Sequence, residues 1–323
     1  MAFSQHTLKY SKQLEETLGC GTVQDKKSCL KTKNLTEILL AGKFPWMVVP
    51  DDLDLVFYSP RFDGEILVGN NFREAIVKAP KIDSLIGINS NEAIAFAVNA
   101  LNRYSMNATY APVQKDKQAT FNQTNLEAAF KFLLSQNNAF QPNPETPIQE
   151  IIDFYLQQKP KFPNYPDLNA FVQLFSDVGY NVPVVREAKF KASHGRKIYV
   201  YMNDYEIPNN PIKSQYLVGN SHCAENTMIF GNTSGFEPPI VGKYKQVMEN
   251  FVQMWISFIK FGIPRFGNMT LEKATPNRVP FAHILNDTRL ENDLWADRSS
   301  FWDHIARTYG FDWIFGRPTS WNL

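Results

Sequence analysis

The chain has 323 residues, 44% of them apolar, which is ample for a buried core and too apolar for a disordered polymer. Lys and Arg total 33 against 32 Asp and Glu, so the net charge of +1 gives no long-range field to gather nucleic acid or an anionic membrane surface. No uncharged apolar run approaches the roughly 20 residues of a spanning helix, and Met1 to Tyr10 has no apolar signal-peptide core.

Leu8, Ser11, Leu14 and Leu18 recur near helical spacing and predict a helix over Thr7 to Leu18; Leu30 to Ala41 predicts another. Between them, Cys20 and Cys29 enclose a short polar stretch, a loop that a disulfide can close; two reduced thiols are the alternative. A Pro-bounded irregular stretch follows, with a turn at Asp63-Gly64. Asp83 to Ile88 (DSLIGI) then reads as a short buried strand that stops at a polar loop, Asn89 to Glu92.

From Glu92 to about Lys191 the pattern is mainly helical, with segments at Asn125 to Leu134, Ile148 to Leu156 and Leu168 to Val178. Lys197 to Met202 (KIYVYM) is the clearest strand, and the polar loop after it reaches His222. Lys243 to Phe261 carries one apolar face from Tyr244 to Ile259 and ends at Gly262 and Pro264, as a helix would. The C-terminal WDHIARTYGFDWIF predicts a helix and a docked tail. No linker or low-complexity tract divides the chain, so 1–323 reads as one domain.

Strands separated by long helical stretches predict an α/β fold with a mainly parallel sheet and crossover connections. Sites in such sheets form where loops leave the C-terminal ends of strands. Glu92 and His222 each stand in such a loop. A histidine base needs a carboxylate to hold its tautomer and a hydroxyl or thiol to deprotonate. Spacing alone does not single out this pair among five histidines and 32 acids, and Asp177 is a rival acid whose helix-end setting favours a structural role.

The flanks carry more information. Gly219-Asn220-Ser221-His222-Cys223-Ala224-Glu225, continuing to Phe230-Gly231, resembles the catalytic-histidine segment of the type-B carboxylesterase and cholinesterase family, G-x-x-H-x-x-E-x-x-x-x-F-G. Gly87 to Glu92 is similar to that family's G-x-x-x-x-E turn, and Pro60-Arg61-Phe62-Asp63-Gly64 to its P-x-x-D-G segment. The Cys20 to Cys29 loop, the Ser176-Asp177 pair and WISFIKFGIP from Trp255 to Pro264 fall in family order, so the resemblance spans essentially the whole chain.

The resemblance implies an α/β-hydrolase fold in which Glu92 orients the imidazole and His222 is the general base of a serine-esterase mechanism on small carboxylic esters. Glu225 would support the histidine loop through an ion pair, or else stand as a solvated surface acid. Cys223 reads as a small buried thiol rather than a nucleophile. No cofactor, metal or nucleic acid is implied, and oligomeric state is left open.

No G-x-S-x-G nucleophile elbow occurs in the sequence, and the Gly-rich oxyanion-hole segment is absent too. In the family both precede the cysteine loop, so the chain is expected to match roughly the C-terminal three fifths of an esterase and to be inactive alone. N-x-S/T sequons at Asn34, Asn107, Asn122, Asn232, Asn268 and Asn286, with the cysteine loop, imply a secreted or ER-lumenal, glycosylated protein. The alternatives are a non-catalytic adhesion protein of the same fold, like the neuroligins, and a truncated product without activity.

Overall fold

The computed structural model describes residues 6–42, 49–54, 58, 60, 65–67, 72–98, 108–208, 214–231, 238–315 and 317–318. The predicted Asp63-Gly64 turn, residues Arg61 and Phe62, and the sequons at Asn107 and Asn232 lie outside them.

Helix α1 (Thr7–Thr17) leads into the Cys20–Cys29 disulfide. The single helix expected from Leu30 to Ala41 is two, α2 (Lys26–Lys31) and α3 (Leu35–Ala41). Asn34 separates them by capping α3: its side chain accepts from Glu37 N while Glu37 returns a bond to Asn34 N, a capping box.

Strand β1 (Ser84–Asn89) runs parallel to β2 (Ile198–Asn203), which runs parallel to β3 (Phe281–Ile284); β4 (Arg289–Glu291) returns antiparallel. This is the mainly parallel sheet that alternating strands and helices called for. Every residue of β2 is buried, because both faces are covered. On one face Ile198, Val200 and Met202 pack with Val185 and Ala188 from the helix Val182–Ser193. On the other, Tyr199 and Tyr201 pack with Tyr244, Val247, Phe251 and Met254 from the helix Gly242–Phe261.

Gly87 explains how a large ring fits between adjacent strands. It is the register partner of Tyr201, and a Cβ built on it would lie 1.9 Å from Tyr201 Cζ. The Tyr201 ring, held edge-on by Phe251 and Trp255, has nowhere else to go. Gly87→Ala is therefore expected to destabilise the chain by about 3 kcal/mol or more, read as a lower denaturant midpoint with an unchanged slope.

The crossover from β1 to β2 is the helical excursion, built from Gln123–Leu134, Glu145–Gln158, Pro166–Ser176 and Val182–Ser193. It has its own core of Phe130, Leu133, Ile151, Tyr155, Phe171 and Phe175, joined by Trp302 and Trp313 from the C-terminal part. Between the last two helices, Asp177–Asn181 forms a π-helical turn. No helix among the described residues is long and apolar enough to cross a membrane.

Candidate active site

The two strand ends meet because β1 and β2 are parallel and in register at Asn89 and Asn203. Asn203 Nδ2 donates to Asn89 Oδ1 across 2.8 Å, tying the strand ends together. The chain then turns at Asn89–Glu92, and the Glu92 side chain folds back to accept from Asn89 N at 2.7 Å. That bond fixes one carboxylate oxygen and leaves the other free to face the next loop.

His222 meets it. Its Nδ1 lies 2.7 Å from Glu92 Oε2, and its backbone N–H donates to Glu92 O at 3.1 Å. Nδ1 faces an acceptor, so it carries the proton; the neutral ring then presents an unprotonated Nε2, the form a general base needs. Glu92 is 7% exposed at its side chain and His222 41%, so the acid is sheltered while the imidazole reaches the surface. Phe96 and Tyr180 each place a ring 5.4 Å from the imidazole, the latter from the π-helical turn.

The hydrogen bond to Glu92 raises the His222 pKa above its ordinary 6.5; burial opposes it, and the charges of Glu92 and Glu225 add to it. The interaction strengthens when the ring is protonated. It therefore contributes stability fully present below pH 6.5 and lost as pH rises through the higher folded value. Glu92→Gln is expected to bring the His222 titration back toward 6.5, as followed by its imidazole NMR signals.

Glu225 stands in the turn three residues after His222. It is partly buried and accepts from the Asn89 amide, which also donates to Glu92 Oε1. Asn89 is thereby shared between the two carboxylates, and desolvation pushes the Glu225 pKa up. Asp177 is away from the imidazole: fully buried, it takes bonds from the Tyr155 hydroxyl, Asn181 and Arg298. Cys223 is exposed rather than buried, because it stands in the turn beside the surface-reaching imidazole; its thiol is still held toward its protonated form, chiefly by desolvation and also by the Glu225 and Glu92 charges, so it is a poor nucleophile.

Sequence reasoning missed the polar frame around the pair. Asn91 N donates to Asn220 O, Asn91 Nδ2 to Val218 O, and Ser176 Oγ joins Asn91 Oδ1 to Ala93 N. The available signal was the density of Asn and Ser after both strands, residue types that satisfy loop backbone through their side chains. Among the described residues no group of three or more His, Cys, Asp and Glu is arranged to hold a metal ion.

The chain is similar to known proteins in sequence and in fold. A model of the carboxylesterase family matches residues 1–302. Gut esterase 1 of Caenorhabditis elegans is 28% identical over 330 residues, covering 97% of this chain and 56% of that protein. Its Caenorhabditis briggsae namesake is 26% identical with the same coverage. This chain thus spans little more than half the length of these relatives. A solved PNB esterase superposes with a TM-score of 0.61 at 18% identity, covering 93% of this chain and 55% of that one, which shows the fold to be that of an α/β-hydrolase. Because the family model covers residues 1–302, most of its length, the chain belongs to the carboxylesterase family.

Proposed function

We propose that this chain supplies the acid and the base of a serine-esterase centre acting on small carboxylic esters, with the nucleophile and oxyanion donors coming from residues outside this sequence. The observation that carries the reading is the 2.7 Å bond between His222 Nδ1 and Glu92 Oε2 at the ends of adjacent parallel strands. His222 Nε2 takes the serine proton as the serine oxygen bonds to the ester carbonyl carbon, then returns it to the departing alcohol; water repeats the cycle on the acyl-enzyme. Glu92 stays ionised and stabilises the imidazolium.

The esterase names of the gut esterase relatives support the ester substrate class. The Cys20–Cys29 disulfide and the exposed sequon residues Asn34, Asn122, Asn268 and Asn286 support a secreted or lumenal, glycosylated protein. By itself the chain turns over no ester, since the base has no serine elbow to activate. The test is expression of the longest native product containing these residues. It should contain a G-x-S-x-G segment and hydrolyse a p-nitrophenyl ester. A product that lacks both and instead captures a protein partner overturns the reading in favour of adhesion.

A further inference from the structure

A second Ser, Asp and His constellation stands directly behind the proposed acid–base pair. Ser90, two residues before Glu92, donates its hydroxyl to Asp204 Oδ1 at 2.5 Å. Ser90 Oγ also accepts from Asn220 N, two residues before His222, at 2.9 Å. Asp204 Oδ2 lies 3.4 Å from His283 Nε2, and His283 Nδ1 is 3.0 Å from Glu291 Oε1.

The order of contacts excludes a second hydrolytic centre. In a catalytic triad the imidazole lies between hydroxyl and carboxylate. Here the carboxylate of Asp204 lies between, so the Ser90 hydroxyl faces a carboxylate and not an imidazole. What the order does provide is a fixed rotor. A serine hydroxyl has one proton; committing it to Asp204 aims a lone pair at Asn220 N–H. Ser90 thus becomes a clamp between the acid loop and the histidine loop.

Two further observations agree. Gly219, at φ +87°, lies so close that an added Cβ would be 2.7 Å from Ser90 Oγ and 3.0 Å from Asn91 Cβ. The histidine loop therefore lays its Gly219 backbone against the Ser90 and Asn91 side chains, with the clamp at the contact. Asp204 is anchored in turn by the His283 ring, mostly buried and flanked by Phe281 from its own strand. The charged groups around that ring are Asp204 from the loop after β2, and Glu291 with its partner Arg289 from β4. An imidazolium donates to both carboxylates, whereas a neutral ring can donate to only one.

We propose that Ser90, Asp204 and His283 are positioning residues that set the geometry of the Glu92–His222 bond by holding the two loops in register. The proposal rests on reading Glu92 and His222 as acid and base, and the test separates the two. The low-field Nδ1–H proton of His222 and the pH titration of its ring are measured by NMR on this chain, native and substituted, with circular dichroism to verify the fold.

The native chain should show the low-field proton. Ser90→Ala and Asp204→Ala should broaden or abolish it and move the titration toward 6.5, while Ser90→Thr, which keeps the hydroxyl, should restore both. His283→Ala, remote from the loop contact, should weaken the signal in the same direction, and it serves should a clamp variant lose its fold. A native chain without the low-field proton overturns the acid–base pair and the relay with it. A native signal that survives unchanged in Asp204→Ala and His283→Ala overturns the relay alone.

Discussion

Replacing His222 by alanine in the serine-containing esterase is expected to lower kcat for an aryl ester by roughly 10⁴- to 10⁶-fold, with KM changing little. The asymmetry follows from where the imidazole acts. It takes a proton only as the serine oxygen attacks, so its loss raises the barrier without removing ground-state contacts to the substrate. Glu92→Gln should cost about 10⁴-fold, because an amide can no longer stabilise the imidazolium and can offer Nδ1 a donor, favouring the wrong tautomer. The Asn89 N–H that holds Glu92 Oε1 would still find an acceptor on glutamine, so the loop should keep its shape. Retention of more than a tenth of native turnover in His222→Ala would sink the catalytic reading and favour a binding role for the fold.

Glu92 and His222, the proposed acid and base, were legible because each is embedded in a segment whose neighbours repeat a family pattern. Their frame was not. Ser90, Asn91, Asn203 and Asn220 acquire their roles only when two loops more than a hundred residues apart in sequence meet at the sheet edge, as the Asn91 N to Asn220 O bond does. Glu225 shows the same limit: the bond it accepts from the Asn89 amide joins segments more than a hundred residues apart in sequence.

Fold legibility followed periodicity. β2 and the helix Gly242–Phe261 were read because a run of buried residues and a long apolar stripe leave strong patterns. β3 and β4 were missed because strands of four and three residues are too short to display a period, and their place is set by pairing, β3 with β2 and β4 with β3. The division at Asn34 was missed for a local reason: a capping box competes with the apolar repeat that runs through it.

Arg298→Ala is expected to be among the most destabilising single changes in the chain, at roughly 3–5 kcal/mol, because it strands a buried carboxylate. Asp177 is fully buried, and burial raises its pKa against the opposing pull of Arg298, whose Nη1 sits 3.0 Å away. With the guanidinium gone, the Tyr155 hydroxyl and the Asn181 amide still donate to the carboxylate, but its charge is unmatched. The pH dependence has a definite sign. A carboxyl whose folded pKa lies above its unfolded value favours folding at low pH and loses that advantage as pH rises through the folded value. The destabilisation of Arg298→Ala should therefore be larger at neutral than at acidic pH, measured as denaturant midpoints at both. Asp177→Asn combined with Arg298→Met removes both charges and should recover a large part of the loss, although neither residue touches the proposed acid–base pair. Because Asp177 opens the π-helical turn that sets Tyr180 against His222, the recovered variant also tests whether that turn needs the ion pair or only the packing around it. A native-like His222 ring environment in the double variant would assign the turn to packing.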